Sequence, residues 1–294
     1  MAAAKRLAVA PNFAVLIEGE SGTGKTLLSR AIHEVSPRRA MSFEHVILAA
    51  MDDALASSEL FGHVAGAYTD AKGHRTGCFV NAHGGTLFLD EIGKASGGVQ
   101  RKLLHAVELG EIRPLGSDRA VRVDVRVIAA SNVQPDRLVD EGRFLPDLFA
   151  RFEPGRLRLP ALRERRSDIP VLVEHYLHRE ARAFGYESEP PTIHPDLLDA
   201  LREADWPYNL RQLHGCVRRL LVEAEGAAEV TPAHCPDVFD FLRCEPASSS
   251  GVSIASIDKA LSAENQNVTR AAARLGIDRT TLYRRRRKLM GAED

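Results

Sequence analysis

The stretch Gly19-Glu20-Ser21-Gly22-Thr23-Gly24-Lys25-Thr26 decides the fold of this chain. It fits the pattern G-x-x-x-x-G-K-[S/T], a loop that binds phosphate. Its glycines let the backbone curl so that several N–H groups point at one anion. Lys25 adds a positive charge for the outer phosphates, and the Thr26 hydroxyl is a Mg²⁺ ligand in such loops. The stretch therefore predicts a nucleotide site.

The segments on both sides of the loop have the expected character. Residues 13–17 (FAVLI) are a short apolar run typical of a buried parallel strand. Residues 27–35 have the apolar spacing of a helix, and the N-terminus of that helix adds to an anion site. Strand, loop and helix together make a chance glycine-rich turn a poor explanation.

A second strand is predicted at residues 84–91 (GGTLFLDE), where an apolar run ends in Asp90 and Glu91. In ATPases with a phosphate-binding loop, the first such carboxylate holds Mg²⁺ through water. The second polarises the attacking water as a general base. The acidic strand end is a weak signal alone and a strong one beside the loop.

A third central strand is predicted at residues 121–130, which alternate and then become fully apolar. It ends in Ser131 and Asn132, and ligands bind at the carboxyl ends of strands in open parallel sheets. These two residues are therefore candidates to contact the γ-phosphate. An Asn in the following turn explains the same pattern equally well.

Beyond residue 159 the pattern changes to helices without intervening strands, which indicates a small helical subdomain. The predicted helices are residues 169–184, 195–203, 210–225 and 232–242. Asn209 is expected to cap the third helix. Arg211 lies in the first turn of that helix, where the helix dipole disfavours a cation, so its position suggests an anion partner.

Composition is that of a globular protein, with 44% hydrophobic and 27% charged residues and a net charge of -1. Four scattered cysteines without a C-x-x-C pair indicate neither a zinc ribbon nor a disulfide framework. No apolar run is long enough to span a membrane, and no signal-peptide pattern opens the chain. We expect a cytoplasmic protein that does not contact membranes.

The end of the chain carries the basic charge. A polar linker at residues 244–253 precedes three predicted helices, at 254–263, 267–275 and 279–290. A glycine-containing turn joins the last two, which is the helix-turn-helix pattern. From residue 251 onward, nine Lys and Arg face five Asp and Glu, a net of +4. We predict double-stranded DNA as the partner of the last helix, through Arg279, Thr280, Thr281, Tyr283, Arg284, Arg285, Arg286, Arg287 and Lys288.

Long motifs in a fixed order give the chain a resemblance to a known family. They are GESGTGKT, SELFGH, GAYTDA, AHGGTLFLDEIG, VRVDVRVIAASN, LPALRERRSDIP, WPYNLRQL and NVTRAAARLGIDRTTLYRRRRKL. The chain resembles the sigma-54-dependent transcriptional activators, bacterial enhancer-binding proteins with an AAA+ ATPase domain and a Fis-type DNA-binding domain. The resemblance covers nearly the whole chain.

The resemblance implies a role for each motif. Gly19 to Thr26 correspond to Walker A and bind ATP, and Asp90 with Glu91 correspond to Walker B. Ser131 and Asn132 lie at sensor I and Arg211 at sensor II. Arg151 corresponds to an arginine finger that reaches a neighbouring subunit, so the implied working form is a homo-oligomer, from a dimer up to a hexameric ring. The loop that contacts sigma-54 corresponds to Gly66, Ala67, Tyr68, Thr69, Asp70 and Ala71.

Several positions depart from the family pattern, and three of them lie on the path from ATP hydrolysis to sigma-54 contact. Asp70 replaces a glycine of the contact loop, which adds a charge and restricts the backbone. Ile47 stands where the family usually has an Asn that holds the Walker B glutamate, and isoleucine cannot form hydrogen bonds. Leu145 stands where the family has a first arginine finger, whose loss can lower the rate on the order of 10³-fold.

The sequence therefore predicts an α/β fold with a parallel sheet, and it leaves two functions open. One is a regulator that binds enhancer DNA and uses ATP hydrolysis in a ring to remodel sigma-54 RNA polymerase. The other is a DNA-binding regulator of the same architecture whose ATPase or sigma-54 contact is impaired. The expected domains are an ATPase subdomain at residues 1–160, a lid at 161–243, the linker at 244–253 and the helix-turn-helix domain at 254–294.

Overall fold

The computed structural model describes residues 2–10, 13–67, 73–184, 186, 189–224, 226–236 and 238. They divide into two compact units. The first unit contains residues up to 166 together with 206–215, and the second contains residues 167–205 and those from 216 onward. The loop at residues 19–26 belongs entirely to the first unit.

A five-stranded parallel sheet forms the centre of the first unit, in the order β2-β3-β6-β1-β7. The strands are β1 (Val15–Glu18), β2 (Phe43–Ile47), β3 (Thr86–Asp90), β6 (Arg126–Ser131) and β7 (Arg156–Arg158). In register, Glu18 pairs with Ser131, and Ile47 pairs with Asp90. The predicted parallel α/β fold is confirmed, and the carboxyl ends of these strands meet at one edge.

Apolar side chains cover both faces of this sheet, because successive residues of a strand point to opposite faces. Leu16, Leu87 and Leu89 belong to one core cluster, which also takes in side chains of the helices Asp53–Phe61, Gly97–Leu109 and Pro146–Phe152. Ile17 and Phe88 belong to a second cluster with the helices Ala2–Val9 and Lys25–Glu34. Burial on both faces explains why the strands read as continuous apolar runs in the sequence.

The helices of the first unit follow the strands in the order typical of crossover connections. They are α1 (Ala2–Val9), α2 (Lys25–Glu34), α3 (Asp53–Phe61), α4 (Cys78–Asn81), α5 (Gly97–Leu109), α6 (Pro135–Asp140) and α7 (Pro146–Phe152). Asp52 caps α3 by accepting a hydrogen bond from the N–H of Leu55 at 2.8 Å. Ser96 caps α5 in the same way through the N–H of Val99.

The single strand predicted at residues 121–130 is wrong, because the structure divides it. Residues Val121–Arg122 form β5, which pairs antiparallel with β4 (Glu111–Ile112) in a separate two-stranded sheet. Val123 donates its N–H to the carbonyl of Gly110, which ties the chain to this hairpin before β6 begins. The alternating half of the run is the exposed hairpin, and the continuously apolar half is the buried strand.

The second unit contains α8 (Ile169–Glu180), α9 (Pro195–Glu203) and, in its turns beyond Gly215, α10 (Asn209–Glu223). The prediction that no strand intervenes is wrong, because Thr192–Ile193 (β8) pairs with Glu229–Val230 (β9) in parallel. Two-residue strands are too short to show a period in the sequence. Among the described residues, no helix is both long and apolar enough to cross a lipid bilayer.

Helix α1 is attached to the sheet through a buried arginine. Arg126, at the start of β6, is 3% exposed and donates hydrogen bonds to the carbonyl oxygens of Leu7 and Ala8 at 2.5 and 2.6 Å. Burial lowers the pKa of Arg126. The last carbonyls of α1 have no partner inside the helix, so the guanidinium satisfies them.

An ion pair links strands β1 and β7, and we expect it to stabilise the first unit. Glu18 is buried, and Arg156 contacts both of its carboxylate oxygens and also Asp136. The hydrogen bonds that Arg156 donates to Asp136 and then to Glu18 raise its pKa. We expect Arg156→Ala to lower the free energy of unfolding by about 3 kcal/mol, because it leaves a buried carboxylate unpaired.

The measurement is urea unfolding followed by the fluorescence of Trp206, the one tryptophan of the chain, which lies in the first unit. Arg122→Ala is the control, because the Arg122 side chain is 89% exposed where it pairs with Glu111. It should cost less than about 1 kcal/mol. Equal losses in the two variants would contradict the importance of the buried pair.

Candidate nucleotide-binding site

The predicted phosphate loop connects β1 to α2, and its glycines adopt conformations that other residues disfavour. Gly22 has φ 79° and Gly24, which precedes α2, has φ 103°. A Cβ on Gly22 would lie 2.2 Å from the carbonyl oxygen of Tyr208. Both glycines are therefore required by the path of the chain and not only by sequence pattern.

The carbonyl oxygens of the loop are bound, whereas many of its N–H groups are not. Lys25 Nζ donates to the carbonyls of Gly19 and Glu20 at 2.7 and 2.9 Å. Within the described part of the chain, six backbone N–H groups of residues 19–26 have no acceptor, namely those of Glu20, Ser21, Gly22, Gly24, Lys25 and Thr26. Several unpaired N–H groups at the start of a helix form an anion-binding site.

Lys25 is a buried cation beside the acidic end of β3. Lys25 is 8% exposed, and this burial lowers its pKa. The nearby carboxylates of Asp90 and Glu91 have the opposite effect on that pKa. Carbonyl oxygens are weaker partners for an ammonium than phosphate, because they carry no net charge. The lysine therefore has an energetic reason to exchange its carbonyl partners for phosphate oxygens.

The two acids at the end of β3 have different environments. Asp90 Oδ1 accepts a hydrogen bond from the N–H of Glu91 at 3.0 Å, and its Oδ2 lies 3.8 Å from His45 Nε2. Glu91 has φ 57°, a left-handed conformation that costs energy in a residue with a side chain. Asn132 Nδ2 lies 3.5 Å from Glu91 Oε1, a long hydrogen bond from the end of β6.

The metal role predicted for Thr26 and Asp90 is chemically consistent with the residues present. The described residues contain no group of three or more His, Cys, Asp or Glu side chains that could hold a metal. Mg²⁺ with a nucleotide needs no such cage, because it takes one or two protein oxygens and completes its shell with phosphates and water. A hydroxyl and a carboxylate are oxygen ligands of that kind.

The other predicted site residues lie in distinct places. Arg211 NH1 donates to Ser21 Oγ at 3.2 Å, so the structure brings it to the phosphate loop. The Ser131 hydroxyl instead donates to the carbonyl of Val133 within its own turn. Arg151, on α7, forms an ion pair with Glu108 of α5, and its contact with a neighbouring subunit stays a prediction.

The predicted sigma-54 contact loop is described only at its base. Gly66 and Ala67 are described, whereas Tyr68, Thr69, Asp70 and Ala71 lie outside the described residues. His63 and Arg75 exchange backbone hydrogen bonds at 3.0 and 2.9 Å, which closes the base of the loop. The predicted DNA-binding residues, Arg279, Thr280, Thr281, Tyr283, Arg284, Arg285, Arg286, Arg287 and Lys288, also lie outside the described residues.

Three residues contact the loop that the sequence analysis did not assign to it. Arg163 pairs with the carboxylate of Glu20, and its hydrogen bond lowers the pKa of that acid. Arg165 donates to the carbonyl of Thr23 at 2.9 Å. Asn209 binds the loop as well, so the prediction that its side chain caps α10 is wrong. All three residues lie in the motifs LPALRERR and WPYNLRQL, in which the sequence analysis assigns a nucleotide contact only to Arg211.

Three known families match successive parts of the chain. Residues 1–158, more than half of the chain, match the sigma-54 interaction domain. Residues 163–248 match the AAA+ ATPase lid domain, and residues 255–289 match the bacterial regulatory proteins of the Fis family. The third match falls outside the described residues.

Individual relatives agree with these matches. The chain is 42% identical over 280 residues to the DNA-binding transcriptional regulator NtrC of Salmonella typhimurium, a match that covers 92% of this chain and 58% of the relative. It is 40% identical over 288 residues to the transcriptional regulatory protein ZraR of Escherichia coli, covering 93% and 63%. Among solved structures, NtrX from Brucella abortus in complex with ATP has a TM-score of 0.74 at 30% identity, covering 98% and 66%. The chain thus spans less than two thirds of the length of these relatives.

The close contact between Gly22 and the Tyr208 carbonyl, just before α10, can be tested by substitution. We expect Gly22→Ala to raise the Kd for a fluorescent ADP by about tenfold or more, because the new Cβ collides with the Tyr208 carbonyl and distorts the loop. Fluorescence titration measures it.

Gly142→Ala is the matched control for that test. Gly142 also has a positive φ, 66°, but a Cβ there meets nothing within 4 Å. It should reproduce the backbone strain and leave ADP affinity unchanged. If both variants bind ADP as tightly as the wild type, the close contact of Gly22 with the Tyr208 carbonyl does not affect nucleotide binding.

Proposed function

The chain belongs to the sigma-54 interaction-domain family, and we propose from that premise that it is a bacterial transcriptional regulator that acts on sigma-54 RNA polymerase. In this proposal it binds enhancer DNA and uses ATP binding and hydrolysis in a ring-shaped homo-oligomer to remodel the polymerase. The observation that carries the proposal is the set of unpaired N–H groups around Lys25, at the sheet edge where Asp90 and Glu91 also end. The ATP and ADP complexes of the similar NtrX structures support nucleotide binding by this chain.

The residues of the loop would bind the phosphates, and those of β3 would act on the water. The free N–H groups and Lys25 hold the phosphate oxygens in place. Thr26 and Asp90 would hold Mg²⁺, which neutralises charge that develops on the phosphates. Glu91, next to Asp90, accepts a proton from the attacking water as general base.

Two arginines extend this site. Arg211, at the start of α10, already contacts the loop through Ser21, which suits a cation that binds a phosphate of the same subunit. The Arg151 side chain is 55% exposed and held by Glu108, so it is accessible for exchange to a phosphate of a neighbouring subunit. In the proposal, this second arginine makes hydrolysis depend on the ring.

Two segments would bind other macromolecules, the predicted sigma-54 contact loop and the end of the chain. The segment Gly66 to Ala71 would contact sigma-54, and the match of residues 1–158 supports that partner. The Fis-family match at residues 255–289 and the net charge of +4 near the chain end support double-stranded DNA. Both partners meet in the bacterial cytoplasm, where we place the protein.

The assignment of Glu91 as general base predicts a separation of binding from hydrolysis. We expect Glu91→Gln to bind ATP as tightly as the wild type and to hydrolyse it about 10²- to 10⁴-fold more slowly, because an amide cannot accept the proton. A phosphate-release assay at saturating ATP measures this rate. Glu34→Gln, on the exposed face at the far end of α2, should hydrolyse at the wild-type rate. Unchanged hydrolysis by Glu91→Gln would refute the assignment.

A second candidate function is a DNA-binding regulator with a weakened motor. Ile47 pairs with Asp90 in register and is 46% exposed, so β2 offers Glu91 no polar side chain at that position. The described contact of the Glu91 carboxylate comes from Asn132 instead. Leu145 packs against the core at the start of α7, where the family pattern has an arginine. These observations favour slower hydrolysis without affecting the phosphate loop.

One experiment separates the two functions. If the protein is an active sigma-54 regulator, its ATPase rate per subunit rises with protein concentration, and its complex with sigma-54 forms only when nucleotide is present. In that case Arg151→Ala should abolish the concentration dependence, whereas Arg119→Ala, in an exposed loop, should retain it. ATP binding without concentration-dependent hydrolysis or a sigma-54 complex would instead establish the second function.

A further inference from the structure

The segment that leads into α10 contains unusual backbone conformations. Trp206 and Asn209 have φ values of 50° and 51°, and both side chains are buried. Tryptophan is rarely found in this region of conformational space, whereas asparagine tolerates it. Such strain persists only where the surroundings fix the backbone, and it is concentrated at functional sites.

The buried amide of Asn209 uses both of its ends. Its Nδ2 donates to the carbonyl of Ser21 at 3.0 Å and to the carboxylate of Glu20 at 3.3 Å. Its Oδ1 accepts a hydrogen bond from the N–H of Leu162 at 2.7 Å. The next residue, Leu210, donates its N–H to the carbonyl of Gly22 at 2.9 Å. The start of α10 thus supplies donors to two successive carbonyls of the phosphate loop.

These donors complete a pattern around the loop. Lys25 binds the carbonyls of Gly19 and Glu20, and Arg165 binds that of Thr23. The carbonyls of Ser21 and Gly22, in the middle of the loop, depend on the start of α10. A peptide unit points its carbonyl and N–H in opposite directions. Holding the Ser21 carbonyl outward therefore keeps the unpaired N–H of Gly22 turned to the anion side, whereas a carbonyl turned inward would repel phosphate. The N–H of Thr23, which follows the Gly22 carbonyl, donates to the carbonyl of Glu20 instead.

We propose that Asn209 is a positioning residue for nucleotide binding, which holds the Ser21 peptide so that the loop presents N–H groups to phosphate. The inference rests on the proposed binding of ATP and adds a residue to that site. The amide acts through the loop and does not touch the nucleotide. Its donor end carries this role, while its acceptor end, bound to Leu162, stabilises only the local fold.

Asn209→Asp tests the two ends separately. The carboxylate retains an acceptor for Leu162, loses the donor for Ser21 and adds a negative charge next to Glu20. We expect the Kd for fluorescent ADP to rise by about tenfold or more. Asn209→Gly, which tolerates the positive φ and removes both ends, should also raise the Kd about tenfold. Circular dichroism melting shows whether each variant folds.

Gln100 provides a matched control in the same unit. It is 1% exposed, and its Nε2 donates to the carbonyls of Ala95 and Arg143 at 2.8 Å. Its Oε1 accepts from the N–H of Leu145 at 2.8 Å, so it is a second buried amide with three contacts to the backbone. Gln100→Glu should lower the melting temperature like Asn209→Asp but leave ADP affinity unchanged.

The outcomes are distinguishable. Weaker ADP binding in both Asn209 variants, with normal binding by Gln100→Glu, supports the inference. Wild-type affinity in Asn209→Asp overturns it, and so does an equal loss in Gln100→Glu, which would trace the effect to general instability. If the wild-type protein itself binds no ADP, the proposed function fails and the inference fails with it. If the wild type binds and Asn209→Asp binds equally well, only the inference fails.

Discussion

A loop that binds an anion through its backbone must turn its carbonyl oxygens away from that anion. Each carbonyl then needs a donor elsewhere, because an unpaired buried carbonyl costs free energy. In this chain the donors to the carbonyls of residues 19–23 come from inside the loop, at Thr23 and Lys25, and from outside it, at Arg165, Asn209 and Leu210. The first residue of α2, Arg165 and the start of α10 thus all donate hydrogen bonds that hold the carbonyls of the loop.

This arrangement explains why the phosphate site is not confined to the G-x-x-x-x-G-K-T motif. The motif provides glycines at the positive φ of residues 22 and 24, and it provides the lysine. It does not by itself hold the middle of the loop, since the carbonyls of Ser21 and Gly22 are bound by residues nearly 190 positions later. A site built from such distant segments forms only after the first unit has folded as a whole.

Features that depend on residues close together in the chain could be predicted from the sequence. Strands β1 and β3, the loop between β1 and α2, and the acids Asp90 and Glu91 were all predicted, because apolar runs and turn residues are local signals. The division of residues 121–130 was missed, since the alternating half and the continuously apolar half follow each other without a Gly or Pro between them. The role of Asn209 was missed because Leu162 and Glu20, its partners, are 47 and 189 residues away. Local propensity assigned it to a helix cap, and tertiary contacts decided otherwise.

The buried guanidinium of Arg126 has a consequence for the first residues of the chain. Its charge is balanced by no carboxylate among its described hydrogen-bond partners, but by the partial negative charge at the carboxyl end of α1. Detaching α1 would take both of these acceptors away from the guanidinium at once and would leave the carbonyls of Leu7 and Ala8 without this donor. The carboxyl end of α1 is thus an electrostatic counterpart of the first residue of β6, 118 positions away in the sequence. Helix α1 therefore belongs to the first unit through this polar contact as well as through Ala4 and Ala8, which lie in the second core cluster.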